Sequence, residues 1–177
     1  MAGWVIGAIV LLAVGFALEE RSGLLRVGTQ APDFAATLSI GNRIALRDYR
    51  GKNPVVLFIY PADFTQGCTE QVCAFRDSYK KLEEAGAVLI GVSNDTDSSH
   101  VRFSQTFRLP FPLISDTDRT ISKAYNVERL GGVIGLPKRV TYVIDKEGTV
   151  RAAIHHEIMI GRHVTDVLEV LKKIGGR

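Results

Sequence analysis

The sequence predicts an α/β domain built on a mixed central sheet, and three observations support this. Residues 55–60 and 87–93 are short, almost uninterrupted apolar runs, the pattern of strands covered on both faces. Helical patterns with an apolar stripe follow each run, so strand and helix alternate. Near the C-terminus, residues 139–144 and 149–154 flank Asp145-Lys146-Glu147-Gly148, a hairpin signal that adds antiparallel strands to the sheet.

Composition narrows the function. The 177 residues carry a formal charge of only +3, with basic residues scattered among acidic ones, so no nucleic-acid footprint stands out. Two cysteines, Cys68 and Cys73, do not make a disulfide framework, and they cannot form a four-ligand zinc site alone. His155, His156 and His163 lack the usual metal-site spacings.

Taken in order, the chain starts with an apolar segment, residues 1–18, in which residues 2–18 hold no charge and no proline. A spanning helix needs about 20 such residues, so the segment reads as a single membrane anchor. Its rivals are a cleaved secretory signal, which would release a secreted or periplasmic domain, and a buried helix. No Lys or Arg precedes the run, which argues against a signal; its all-round apolarity argues against a buried helix. Arg21 and Arg26 follow it, so the positive-inside rule puts the domain on the cytoplasmic side. Residues 19–26 are a linker, and residues 27–177 form one domain, long enough for a sizeable core.

Within the domain, Pro32 keeps residues 28–34 irregular, and a turn at Gly41-Asn42 leads into a short strand at 43–46. The strand at 55–60 opens through Pro61, Thr65 and Gly67 into a helix whose inward stripe is Cys68, Val72, Phe75, Tyr79 and Leu82, ending at Gly86. A second strand occupies 87–93. A helix through Val101, Phe103 and Phe107 is capped from within residues 95–99. A short strand at 113–114, a helix from 116–118 through Tyr125, and a loop at 131–137 precede the hairpin. Val164, Val167, Leu168 and Leu171 mark a last amphipathic helix. This order is that of a thioredoxin-like fold.

The two thiols are the chemical focus. Cys68 falls in the first turn of its helix, near unpaired backbone N–H groups and the positive end of the helix dipole, an environment that favours thiolate. Cys68 therefore reads as a nucleophile and Cys73 as its partner, although two ordinary buried thiols are the plainer alternative. Residues five apart on an ideal helix have Cα atoms roughly 8.6 Å apart, beyond the ~7 Å that a disulfide tolerates. If these two pair, the first turns of the helix must unwind. The spacing is too long for a Cys-x-x-Cys exchange motif.

Pro61-x-x-x-Thr65-x-x-Cys68 resembles the active-site signature of peroxiredoxins. Its extension, Cys68-Thr69-x-x-x-Cys73-x-Phe75-Arg76-Asp77, is similar to the bacterioferritin-comigratory-protein or peroxiredoxin Q subfamily. Gly28-x-x-Ala31-Pro32-Asp33-Phe34, Gly91-Val92-Ser93, the stretch from Leu109 to Asp116 and that from Arg139 to Asp145 extend the resemblance over residues 27–174. Two positions depart from the pattern: Gln71 stands where the family usually has Glu, and Ala62 where it usually has a basic residue.

The resemblance implies a thiol peroxidase acting on hydrogen peroxide and organic hydroperoxides. It makes Cys68 the peroxidatic and Cys73 the resolving cysteine, joined in an intramolecular disulfide that thioredoxin or a similar dithiol reduces. Arg139 donates to the thiolate, the Thr65 hydroxyl orients the peroxide, and Pro61 shields the sulfur from water. It implies a monomer and no metal or organic cofactor. Two other readings of the same residues are a membrane-tethered thiol–disulfide oxidoreductase and a redox sensor.

Overall fold

Five strands form the central sheet of the computed structural model, which describes residues 23–38 and 41–175. They are β3 (Val55–Ile59), β4 (Val88–Ser93), β5 (Leu113–Ser115), β8 (Val140–Ile144) and β9 (Val150–His155), in the spatial order β5-β4-β3-β8-β9. The pairs β3–β4 and β4–β5 are parallel, whereas β3–β8 and β8–β9 are antiparallel. The mixed sheet of a thioredoxin-like fold is thus present. The apolar segment at residues 1–18, and its expected helix, lie outside the described residues.

Every residue of β3 and of β8 is buried, because both faces of the sheet are covered. Side chains alternate along β3. Val55, Leu57 and Ile59 join Ile44, Tyr125 and Val127 on one face, while Val56, Phe58 and the following Tyr60 join Phe75, Phe103 and Val167 on the other. The second face is layered by α1 (Gln66–Asp77), α2 (Tyr79–Glu84), α3 (Asp97–Phe107) and α5 (Arg162–Gly175). The first is covered by α4 (Thr120–Ala124) and by a small ribbon of β1 (Ala35–Thr37) with β2 (Arg43–Ala45).

Three local differences from the sequence reading have physical causes. The helix expected to run to Gly86 breaks at Ser78 into α1 and α2, at a pair, Asp77-Ser78, of weak helix formers. The strand expected at 43–46 stops at Ala45, whose N–H is taken by Asp48 Oδ2 at 3.1 Å, and Leu46–Tyr49 curl into a 3-10 turn. The loop expected at 131–137 contains a strand. Gly132, at φ +88°, lets a tight reversal pair β6 (Glu128–Arg129) with β7 (Ile134–Pro137).

Candidate active site

The site forms where β3 hands over to α1 and where the chain enters β8. After β3 the backbone passes through Pro61, which is half-buried, to Thr65. Thr65 is the N-cap residue, extended at φ −76° and ψ 149°. Its hydroxyl does not cap the helix; it donates to the Ala62 carbonyl at 3.1 Å and stays exposed. Cys68 follows in the first helical turn and is fully buried. The first-turn amides around it have no acceptor within the helix, so the sulfur sits at the positive end of α1.

Arg139 reaches this sulfur from the residue just before β8. Its Nη2 lies 3.4 Å from Cys68 Sγ, and its Nη1 donates to Gln71 Oε1 at 2.7 Å and to the Gly67 carbonyl at 3.4 Å. The side chain is 5% exposed, so the guanidinium acts in a largely dry setting where its charge counts for more than in water. Its backbone is held too, since Arg139 N–H donates to Glu157 Oε1 at 3.2 Å. Glu157 also accepts from Arg129 Nη2 at 2.6 Å and faces His155 Nε2 at 3.2 Å. Burial alone would raise the Glu157 carboxyl; His155, the Arg129 charge and the Arg139 amide outweigh it and hold the carboxyl down at about 2.

Gly67 makes the close approach possible. A Cβ there would lie 2.8 Å from Ile160 Cδ1 and 3.1 Å from Arg139 Nη2. The glycine therefore lets Arg139 and Ile160 close over the first turn of α1. Cys73, five residues on, is half-buried, and both thiols are free. Both stand in the one unbroken helix α1, so the spacing that forbids a direct disulfide applies to the folded site.

The structure thus brings Cys68 and Arg139 into contact, with Thr65 and Pro61 in the adjoining loop and Cys73 one and a half turns along α1. Gln71, Gly67, Ile160 and Glu157 are further parts of the site. Gln71 stood out in the sequence only as a departure from a family pattern. Nothing local signals Glu157, whose partners come from positions 129, 139 and 155.

Residues 27–153 match the AhpC/TSA family. The chain belongs to that family. It falls in the peroxiredoxin Q branch. Over 153 residues it is 40% identical to the chloroplastic peroxiredoxin Q of Triticum aestivum, covering 86% of this chain and 69% of the wheat protein. The crystal structure of peroxidoxin BcpB from Mycobacterium tuberculosis superposes with a TM-score of 0.78 at 34% identity, over 85% of this chain and 98% of that one. Xanthomonas campestris peroxiredoxin Q gives 0.73 at 30% identity, over 80% and 91%. This peroxiredoxin is a thiol-dependent peroxidase of the thioredoxin-dependent kind, with a hydroperoxide substrate and a thioredoxin-type reductant.

The membrane-anchored location with a cytoplasm-facing domain is contradicted by the relatives, since the wheat protein is named as chloroplastic. Among the described residues no helix is long and apolar enough to cross a membrane. Residues 2–18, on which the expected membrane association rested, lie outside the described residues.

Proposed function

We propose that Cys68 is the nucleophile of this peroxidase and Cys73 its resolving partner, within a catalytic unit of residues 27–177 that acts as a monomer. The observation that carries the reading is the 3.4 Å contact of Arg139 Nη2 with the buried Cys68 Sγ at the start of α1. The Cys68 thiolate attacks one peroxide oxygen, the O–O bond breaks, and the other oxygen leaves with the electron pair and takes a proton as water or alcohol. Cys68 becomes a sulfenic acid. Charge develops on the leaving oxygen, and the Arg139 guanidinium, already held by Gln71, is placed to stabilise it.

The exposed Thr65 hydroxyl spends its O–H on the Ala62 carbonyl but keeps open acceptor capacity, which suits it to accept from and orient the peroxide. Pro61 presents no N–H and screens the thiolate. The first turns of α1 then open, and the Cys73 sulfur displaces hydroxide from the sulfenic sulfur, forming the Cys68–Cys73 disulfide and water. An intramolecular bond of this kind needs no second chain. A thioredoxin-type dithiol restores both thiols by exchange.

The test is peroxide consumption by the purified protein with thioredoxin, its reductase and NADPH, in wild type and in Cys68→Ser. Turnover in the first and none in the second is expected. Equal turnover in both would remove Cys68 from the role.

A further inference from the structure

Resting on the proposed opening of α1, the geometry points to a frame that limits how far the opening spreads. Its components lie outside the contacts made by Arg139, and one of them, Arg76, neighbours the Cys73 thiol. Asp63, five residues before Cys68, has a side chain only 1% exposed, and its carboxylate accepts from Tyr60 Oη at 2.7 Å and from Ser99 Oγ at 2.7 Å. His100 Nδ1 stands 2.9 Å from the same carboxylate, and His100 Nε2 stands 3.2 Å from the Ile114 carbonyl. The ring thus bridges the Asp63 carboxylate and the Ile114 carbonyl. The Asp63 N–H donates to Asp95 Oδ2 at 2.9 Å. Asp63 is thereby locked, by side chain and backbone, to α3 and to the segment leading into it.

The next residue behaves differently. Phe64 is left-handed at φ +59°, an unfavourable conformation for a bulky side chain. Its ring, 49% exposed, is held in place by α3, edge-on to Phe103 with centroids 4.9 Å apart and 6.3 Å from Phe107. At the far end of the segment, Arg76 Nη1 donates to the Phe107 carbonyl at 2.9 Å. Residues 63 and 76 are therefore tied to the same helix, and everything that must rearrange, Cys68 and Cys73 included, lies between them. Strain at Phe64 sits just inside the first tie.

α3 is the fixed frame of the reaction. The Asp63–His100 pair sets the upstream limit of α1 opening and Arg76 the downstream limit. Asp63, His100 and Arg76 are positioning residues that keep both thiols in one short mobile span, so that closure to the disulfide outruns a second oxidation of Cys68 to sulfinic acid.

Hydrogen exchange read by mass spectrometry on the reduced and peroxide-oxidised full chain tests this. Oxidation is expected to remove protection from amides 64–75 and to leave 55–63 and 79–84 protected. Asp63→Asn should extend the loss back into residues 60–63. Arg76→Gln should extend it into 79–84 and lower by about threefold the peroxide dose that half-converts Cys68 to sulfinic acid. In a Cys73→Ser background, Arg76→Gln should leave the rate of sulfenic acid formation unchanged. Deprotection that crosses either tie in the wild-type chain, or an Arg76→Gln pattern identical to wild type, overturns the frame while sparing the chemistry. Absence of any Cys68–Cys73 disulfide overturns both.

Discussion

Replacing Gly67 by Ala should separate stability from activity in this enzyme. Gly67 lies in α1 with no positive φ, so helix propensity alone favours Ala there by up to ~1 kcal/mol. The added Cβ, however, would stand 2.8 Å from Ile160 Cδ1 and 3.1 Å from Arg139 Nη2. Ile160 can turn its terminal methyl aside. Arg139 has less freedom, because Gln71 and the Glu157-bound backbone fix both its ends. The guanidinium must shift by a few tenths of an ångström, next to a sulfur it contacts at 3.4 Å. A hydrogen bond to a charged group contributes about 1.5–3 kcal/mol, and loss of most of it from the transition state lowers the rate about 10- to 100-fold. Stopped-flow measurement of the first oxidation, alongside thermal unfolding of the reduced protein, reads both quantities. The expected result is a Tm equal to or above wild type with a slowed attack on peroxide. An attack rate within about twofold of wild type would refute the placement of Arg139 as the group that stabilises the reacting charge.

Two further outcomes follow from the same geometry. Arg139→Lys keeps the charge but cannot meet Gln71 and Cys68 together, so the second-order rate constant for peroxide should fall about 100-fold, with far-ultraviolet circular dichroism unchanged. His163 is fully buried, with Nε2 donating to the His156 carbonyl at 3.0 Å and Nδ1 accepting from Thr141 Oγ1 at 2.9 Å, and burial pushes its pKa down to about 4. Because the folded value lies below the unfolded ~6.5, the neutral ring's stabilisation is complete above pH ~6.5 and is lost as pH falls toward 4. Urea unfolding should show wild type losing about 2 kcal/mol more than His163→Gln between pH 8 and pH 5; parallel curves would remove His163 as the cause.

The parts of the fold that were legible in the sequence are those where local signal and tertiary need agree. The strand at 55–60 was readable because burial on both faces demands consecutive apolar residues, and β3 is buried at every position. Cys68 was readable as a first-turn thiol because Thr65 and Gly67 mark a helix start, and α1 begins at Gln66. The 128–137 ribbon was not, since glycine-rich stretches read as loop until a partner strand is known. Arg139 lies 71 residues from Cys68, and its side chain could be placed only through a family resemblance. Gln71 and Glu157 were hidden for the same reason: each matters through a residue distant in sequence. The buried Asp63–His100 pair spans 37 positions, and an isolated Asp or His has no local pattern that reports burial.

The most direct measurement is peptide mapping of the reduced chain after one equivalent of hydrogen peroxide, with dimedone present, in wild type and Cys73→Ser. An intramolecular Cys68–Cys73 linkage is expected in wild type and a dimedone adduct on Cys68 in the variant. A first adduct on Cys73, or a wild-type disulfide that joins two chains, would contradict it.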